Sequence, residues 1–129
     1  MKYNGKDAGD IIAIDFDGTI TIEIAYPELG KPNVKVINAI KNAQSEGVKF
    51  ILWTNRQDNN VEVPNCLTAA IEFCRQYGIE FDAVNDNLPE VNEIFIVNAR
   101  KITADYYVDD KAPGSIEWFI NRYGGDVSA

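Results

Sequence analysis

Ile11-Ile12-Ala13-Ile14-Asp15-Phe16-Asp17-Gly18-Thr19 decides the fold. A short apolar run of this kind reads as a strand buried on both faces. It ends in two carboxylates one residue apart, followed by Gly18 and Thr19. Open α/β sheets bind their ligands beyond the carboxyl ends of their strands. Acids at the tip of a buried strand add nothing to its core and point to binding or reaction. Asp-Gly is also a common turn pair, so the tripeptide Asp17-Gly18-Thr19 alone does not separate a turn from a site. The whole string, at the first strand of a small α/β chain, favours chemistry.

Outward from this strand (Asp10 to Asp15), strand-like and helix-like segments alternate, which predicts a three-layer α/β/α sandwich around a mostly parallel sheet. Ile20, Ile22 and Ile24 alternate with polar residues, predicting a short strand or hairpin arm over Ile20 to Ala25. Pro27, Gly30 and Pro32 break it. Asn33 reads as the cap of a helix over Val34 to Glu46 with Ile37 and Ile40 inward, ended by Gly47. Val48 to Trp53 is a second strand, followed by a polar loop, Thr54 to Asn65, whose tip at Asp58 to Asn60 is read as mobile. A second helix spans Pro64 to Tyr77, with Ala70, Ile71, Cys74 and Tyr77 on its apolar face, and Gly78 stops it. Ile79 to Val84 reads as a third strand. Leu88 to Val97 fits either helix or strand. Tyr106 to Asp110 reads as a strand ending in acids, and Ser115 to Tyr123 as a final helix before a frayed tail. Trp53 and Trp118 read as core rather than recognition residues, with a weak case for Trp118 at a partner surface because it lies off the apolar face of its helix.

A chain of 129 residues with 46% hydrophobic content suits a single domain, 1–129, with one real core. No apolar stretch approaches the roughly 20 residues that span a bilayer, and Met1 to Asp10 lacks the apolar segment of a signal peptide. The expected location is the cytoplasm, with no membrane partner. A net charge of −8, with only 12 Lys and Arg, disfavours nucleic acid as a partner. The absence of histidine removes Ser-His-Asp triads, Cys-His pairs and His-ligated zinc. Cys66 and Cys74 lie about 12 Å apart along one helix, too far for a disulfide.

Three predicted strands share one property at their ends. The first ends Asp15-Phe16-Asp17, the second Thr54-Asn55-Arg56, the late one Asp109-Asp110-Lys111. A parallel sheet puts these ends on one edge. Four carboxylates gathered there repel one another, which implies a divalent cation. An oxygen donor set without His or thiolate favours Mg²⁺ over zinc.

With these motifs in this order, the chain resembles the haloacid dehalogenase (HAD) superfamily of phosphatases and phosphotransferases over nearly its whole length. The matching motifs are Asp15-Phe16-Asp17-Gly18-Thr19, Thr54 closing Phe50 to Trp53, Lys101, and Asp109-Asp110 after Tyr106 to Val108. The resemblance implies a Mg²⁺-dependent phosphomonoester hydrolase in which Asp15 attacks phosphorus and forms an aspartyl-phosphate. Asp17 then acts as acid and base, Thr54 donates to a phosphoryl oxygen, and Lys101 supplies positive charge. Arg100 and Lys111 are alternative sources of that charge. Mg²⁺ is implied at Asp15, at the Asp17 backbone carbonyl and at Asp109 or Asp110, since families with paired acids differ in which one binds. Asn55 and Arg56 are candidate substrate contacts.

Larger members of that superfamily carry a cap domain. The segment 20–33 is too short for one, so this chain resembles a capless member with an open site, walled by Ile20 to Ala25 and Thr54 to Asn65. A phosphorylated small molecule is the favoured substrate. The alternative is a catalytically degenerate HAD fold or a receiver-like phosphate-binding module. Receiver domains phosphorylate an aspartate at the end of the third strand, near mid-chain. Here the mid-chain strand ends in Thr54-Asn55-Arg56, with no acid before Asp58.

Overall fold

The computed structural model describes residues 1–3 and 5–125. A four-stranded parallel sheet forms from β3 (Ile11–Ile14), β4 (Lys49–Leu52), β5 (Ala83–Val84) and β6 (Tyr106–Val108), in the order β5-β4-β3-β6. The strand carrying the Asp-Phe-Asp-Gly-Thr motif is therefore interior, paired with β4 through Ile14↔Leu52 and with β6 through Ile14↔Val108. A separate antiparallel hairpin, β1 (Lys2–Tyr3) and β2 (Lys6–Asp7), precedes it.

Among the described residues, four helices cover the sheet: α1 (Val34–Ser45), α2 (Cys66–Gln76), α3 (Pro89–Phe95) and α4 (Ser115–Tyr123). The uninterrupted apolar run of β3 follows from burial on both faces. Ile12 and Ile14 join Phe50 and Leu52 under α1, α2 and α4, while Ile11 and Ala13 join Ile51 under α3. The result is a three-layer α/β/α sandwich, as the alternation predicts. Asn33 caps α1, its side-chain oxygen accepting from Val36 N at 3.4 Å, and Val36, Ile37, Ile40 and Ala43 line the buried face.

Several local expectations are corrected. Ile20 to Ala25 is not a strand: the pairing there is a single bridge between Thr21 and Pro32. Ile20 is fully buried while Ile22 and Ile24 are exposed, so the alternation reflects one anchored residue followed by an open loop. The strand expected over Ile79 to Val84 shrinks to Ala83–Val84, and Leu88 to Val97 resolves as the short helix α3. Within the loop after β4, Asp58 accepts from Thr68 N at 2.8 Å and from the Thr68 hydroxyl at 2.5 Å, capping α2 from a distance, while Asn59 and Asn60 are exposed. Trp53 is 40% exposed rather than core. Trp118 is also partly exposed and stacks on Tyr106, ring centroids 4.5 Å apart. The frayed tail expected at 126–129 lies outside the described residues. Cys66 and Cys74 are buried free thiols.

Candidate active site

Because β3, β4 and β6 are parallel and adjacent, their carboxyl ends deliver Asp15, Thr54 and Asp109 to one edge of the sheet. A cavity of about 510 Å³ opens there, lined by Asp15, Asp17, Thr54, Asn55 and Arg56, by Asp109, Asp110 and Lys111, and by Ile24 and Tyr26. The structure thus brings together every sequence-predicted site residue except Lys101.

Asp15, Asp109 and Asp110 form the centre, each offering an oxygen within 4.8 Å of the others'. Burial, reinforced by the Asp109 charge and a hydrogen bond with Asp110, pushes the Asp15 carboxyl up to about 8. Burial also raises Asp109. Burial works the same way on Asp110, but hydrogen bonds from Asp109 and Asp15 and the Lys111 ammonium hold it below the ordinary carboxylate range. Three acids at this spacing cannot all ionise readily, and the burden falls on Asp15, which holds its proton into the neutral range. An all-oxygen donor set of this kind fits a hard divalent cation.

The tips are locked by short side chains next to the acids. The Thr19 hydroxyl accepts from Asp110 N at 3.1 Å, stitching the end of β3 to the end of β6. Ser115 accepts from Asp109 N at 3.1 Å and donates to Asp109 O at 2.9 Å. Gly18 has φ +81°, and a Cβ there would sit 3.0 Å from Asp110 Oδ2 and 3.1 Å from Ile24 Cγ1. Only glycine suits both the left-handed backbone and the close approach. Thr54 is buried; its N–H donates to Asn85 Oδ1 at 2.8 Å, and its hydroxyl accepts from Arg56 N at 3.1 Å. Its own O–H proton remains available to the cavity.

Asp17 has a different setting. Arg56 is fully buried and donates from Nε to Asp17 Oδ2 at 2.9 Å and from Nη2 to Asp17 Oδ1 at 2.8 Å. Its other N–H groups go to the carbonyls of Pro27 (3.2 Å), Cys66 (3.1 Å) and Glu28 (2.7 Å). All five guanidinium donors are engaged, so Arg56 offers no free N–H to a substrate. The guanidinium lies over the rings of both Phe16 and Tyr26, 5.0 and 5.3 Å from their centroids. Sequence reasoning grouped Arg56 with Asn55 as a substrate contact; the structure makes it a staple joining the β3 tip, the 26–28 segment and the start of α2. Asn55 is exposed and lines the cavity.

Lys101 is not brought to this edge. It lines a separate depression with Val91, Phe95 and Thr103 beside α3. Its carbonyl accepts from Asn87 Nδ2 at 3.0 Å, and Asn87 Oδ1 accepts from Thr103 N at 2.6 Å, which fixes the 101–103 segment against the far face of the sheet. The lysine at the cavity is Lys111, its Nζ 3.5 Å from Asp110 Oδ2. Sequence reasoning gave no role to Thr19, Ser115 or Asn85. Thr19 carried a signal, its place within the motif; the other two carried none.

A solved structure of a conserved protein from Bacteroides thetaiotaomicron is similar to this chain, with 37% identity and a TM-score of 0.70 over 88% of this chain and 85% of that one. The chain belongs to the same family as that protein. No protein-family model and no curated protein matches it. Among the described residues, no helix is long and apolar enough to cross a membrane.

Proposed function

We propose that this chain is a capless, HAD-type phosphomonoester hydrolase that works through an aspartyl-phosphate on Asp15 and requires Mg²⁺. The observation that carries the reading is the convergence of Asp15, Asp109 and Asp110 at the carboxyl edge of a parallel sheet, with Thr54 and Asn55 facing the same cavity. The Asp15, Asp109 and Asp110 carboxylates would hold the ion, with the Asp17 carbonyl added by the resemblance. Mg²⁺ supplies charge neutralisation, so that a carboxylate nucleophile can approach an anionic phosphoryl group.

In this reading an Asp15 oxygen bonds to phosphorus as the bond from phosphorus to the ester oxygen breaks. Asp17 gives its proton to that departing oxygen. Water then attacks phosphorus, Asp17 takes back a proton, and phosphate leaves with Asp15 restored. Arg56 donates once to each Asp17 oxygen, which leaves a second lone pair on each to face the departing oxygen. Thr54 donates to a phosphoryl oxygen, and Lys111, rather than Lys101, supplies the side-chain cation.

The test is a rapid-quench experiment with a ³²P-labelled monoester and Mg²⁺. A hydroxylamine-labile label on Asp15, absent in Asp15→Asn, supports the reading, with turnover falling by about 10⁴-fold or more. Turnover that survives Asp15→Asn, or that proceeds without covalent label, overturns it. Phosphate binding without turnover in the unaltered protein would favour the receiver-like or degenerate alternative.

A further inference from the structure

We infer that the cavity takes a phosphate monoester whose leaving group presents a planar aromatic face, seated against Tyr26 and Ile24. This rests on the hydrolase reading above and names its substrate class. The cavity, about 510 Å³, falls within the roughly 300–1,000 Å³ typical of small-molecule sites, and a phosphoryl group fills only part of it. Its polar lining gathers around Asp15. Its apolar lining is confined to Ile24 and Tyr26, which are 58% and 45% exposed.

This wall is held in shape. Arg56 grips the carbonyls of Pro27 and Glu28, the Thr21 hydroxyl donates to the Glu23 carbonyl at 2.8 Å, and Ile22 N donates to the Lys31 carbonyl at 2.8 Å. Arg56 Cζ lies 5.3 Å from the Tyr26 ring centroid, so the ring is braced by the same guanidinium that orients Asp17. The acid that protonates the departing oxygen and the exposed ring are therefore tied to one residue. A leaving group delivered to Asp17 arrives beside Tyr26. A braced, exposed tyrosine accepts any flat ring by stacking. A polyol leaving group would need hydrogen-bond partners, and Ile24 and Tyr26 supply only one hydroxyl between them. Trp53 is the rival aromatic: it lines a smaller depression of about 140 Å³ with Asp15, Thr54, Asn55 and Asp109, a lining that does not include Asp17.

The experiment measures kcat/KM with Mg²⁺ for phenyl phosphate, a nucleoside 5′-monophosphate and glycerol 3-phosphate, in the unaltered protein and in Tyr26→Ala, Tyr26→Phe and Trp53→Ala. Comparing each variant with the unaltered protein, substrate by substrate, cancels differences in leaving-group reactivity. Tyr26→Ala is expected to lower kcat/KM for a ring-bearing ester about 5- to 150-fold more than for glycerol 3-phosphate, and Tyr26→Phe to restore it. Selective loss on phenyl phosphate would assign a ring bonded directly to the ester oxygen; selective loss on the nucleotide would assign a base reached across the sugar. Equal losses on all three esters, or a selective loss in Trp53→Ala instead, overturn the proposal. Calorimetric binding of the same nucleotide to Asp15→Asn, with and without Tyr26→Ala, reads the platform without turnover. Tyr26-dependent binding by a protein that hydrolyses no ester keeps the platform and rejects the hydrolase. Hydrolysis with no Tyr26 dependence does the reverse.

Discussion

Asp15 and Asp17 are two residues apart in one motif, yet they have opposite surroundings. Asp15 faces two more carboxylates. Asp17 has a guanidinium across both its oxygens. The backbone explains the split: Asp15 continues the line of β3, its N–H donating to Val108 O at 2.9 Å, so it meets the acids that end β6. Phe16 then turns the chain, its carbonyl accepting from Thr19, Ile20 and Thr21, which swings Asp17 toward the loop after β4. One acid is left charge-frustrated and ready for a cation; the other is neutralised by the protein itself. Enzymes that need two carboxylates in different roles separate them by environment in this way.

The largest expected effect breaks the second half of that comparison. Arg56→Met leaves Asp17 and three carbonyls without their donor, in a site where the guanidinium is fully buried. Removing one partner of a buried pair costs about 3–5 kcal/mol. Urea unfolding, extrapolated to water, should show a loss of unfolding free energy of that size. A loss below about 1 kcal/mol, the range of exposed pairs, would mean that the pair is far wetter than the structure has it.

The same substitution at the two acids should have effects of opposite sign. Asp17→Asn turns one acceptor into a donor facing Arg56, and should cost about 1.5–3 kcal/mol, the worth of a charged hydrogen bond. It should also slow turnover by about 10²–10⁴-fold if Asp17 is the acid and base. Asp15→Asn removes a carboxyl that must take up a proton to fold at neutral pH, and should stabilise the metal-free protein there. Equal destabilisation by both would erase the comparison.

The comparison also sets a pH dependence. The Asp15 carboxyl is raised in the folded chain to about 8, so between about pH 4 and 8 the native state binds more protons than the unfolded one. Stability without metal should then fall as pH rises through that window, because the slope follows the protons bound by the unfolded state minus those bound by the native. Asp15→Asn should flatten the slope. Mg²⁺ at about 100 times its Kd should add roughly 2.7 kcal/mol, and should do so at lower concentration as pH rises. Thermal melts at several pH values, with and without Mg²⁺, read both effects.

The sheet, its interior first strand and the shared edge of three strand ends were legible from apolar runs and the acids that close them. Burial on both faces writes itself into sequence as Ile11 to Ile14. Arg56 was misread because a lone arginine after a strand looks the same whether it reaches solvent or is enclosed by five acceptors; the partners come from Asp17, Pro27, Glu28 and Cys66, far apart in the chain. Ile22 and Ile24 mimicked a strand because period-two alternation also arises when an exposed apolar loop borders a cavity. Trp53 reads as core by its aromatic character, but register puts it one residue beyond the last β4 pairing, at the exposed edge of the sheet.

The smallest expected effect concerns the lysine, and it tests sequence order against geometry. Lys101 matches the superfamily's order of motifs, but its carbonyl is pinned beside α3 and its side chain lines another depression. Lys111 lies at the cavity rim, its side chain 79% exposed and 3.5 Å from Asp110. An exposed cation of this kind is worth roughly 0.2–1 kcal/mol, so Lys111→Ala should lower kcat/KM by about 2- to 5-fold, and less at high salt. Lys101→Ala should change it by less than that. Steady-state kinetics at two ionic strengths decide the matter. If Lys101→Ala proves the costlier substitution by ten-fold or more, the segment at 99–103 must leave Asn87 and reach the acids during catalysis. On the hydrolase proposal, the order of motifs would then locate the cation better than the present geometry does. If Lys111 dominates, the cation comes from the loop after β6, adjacent in sequence to the acid pair beside it.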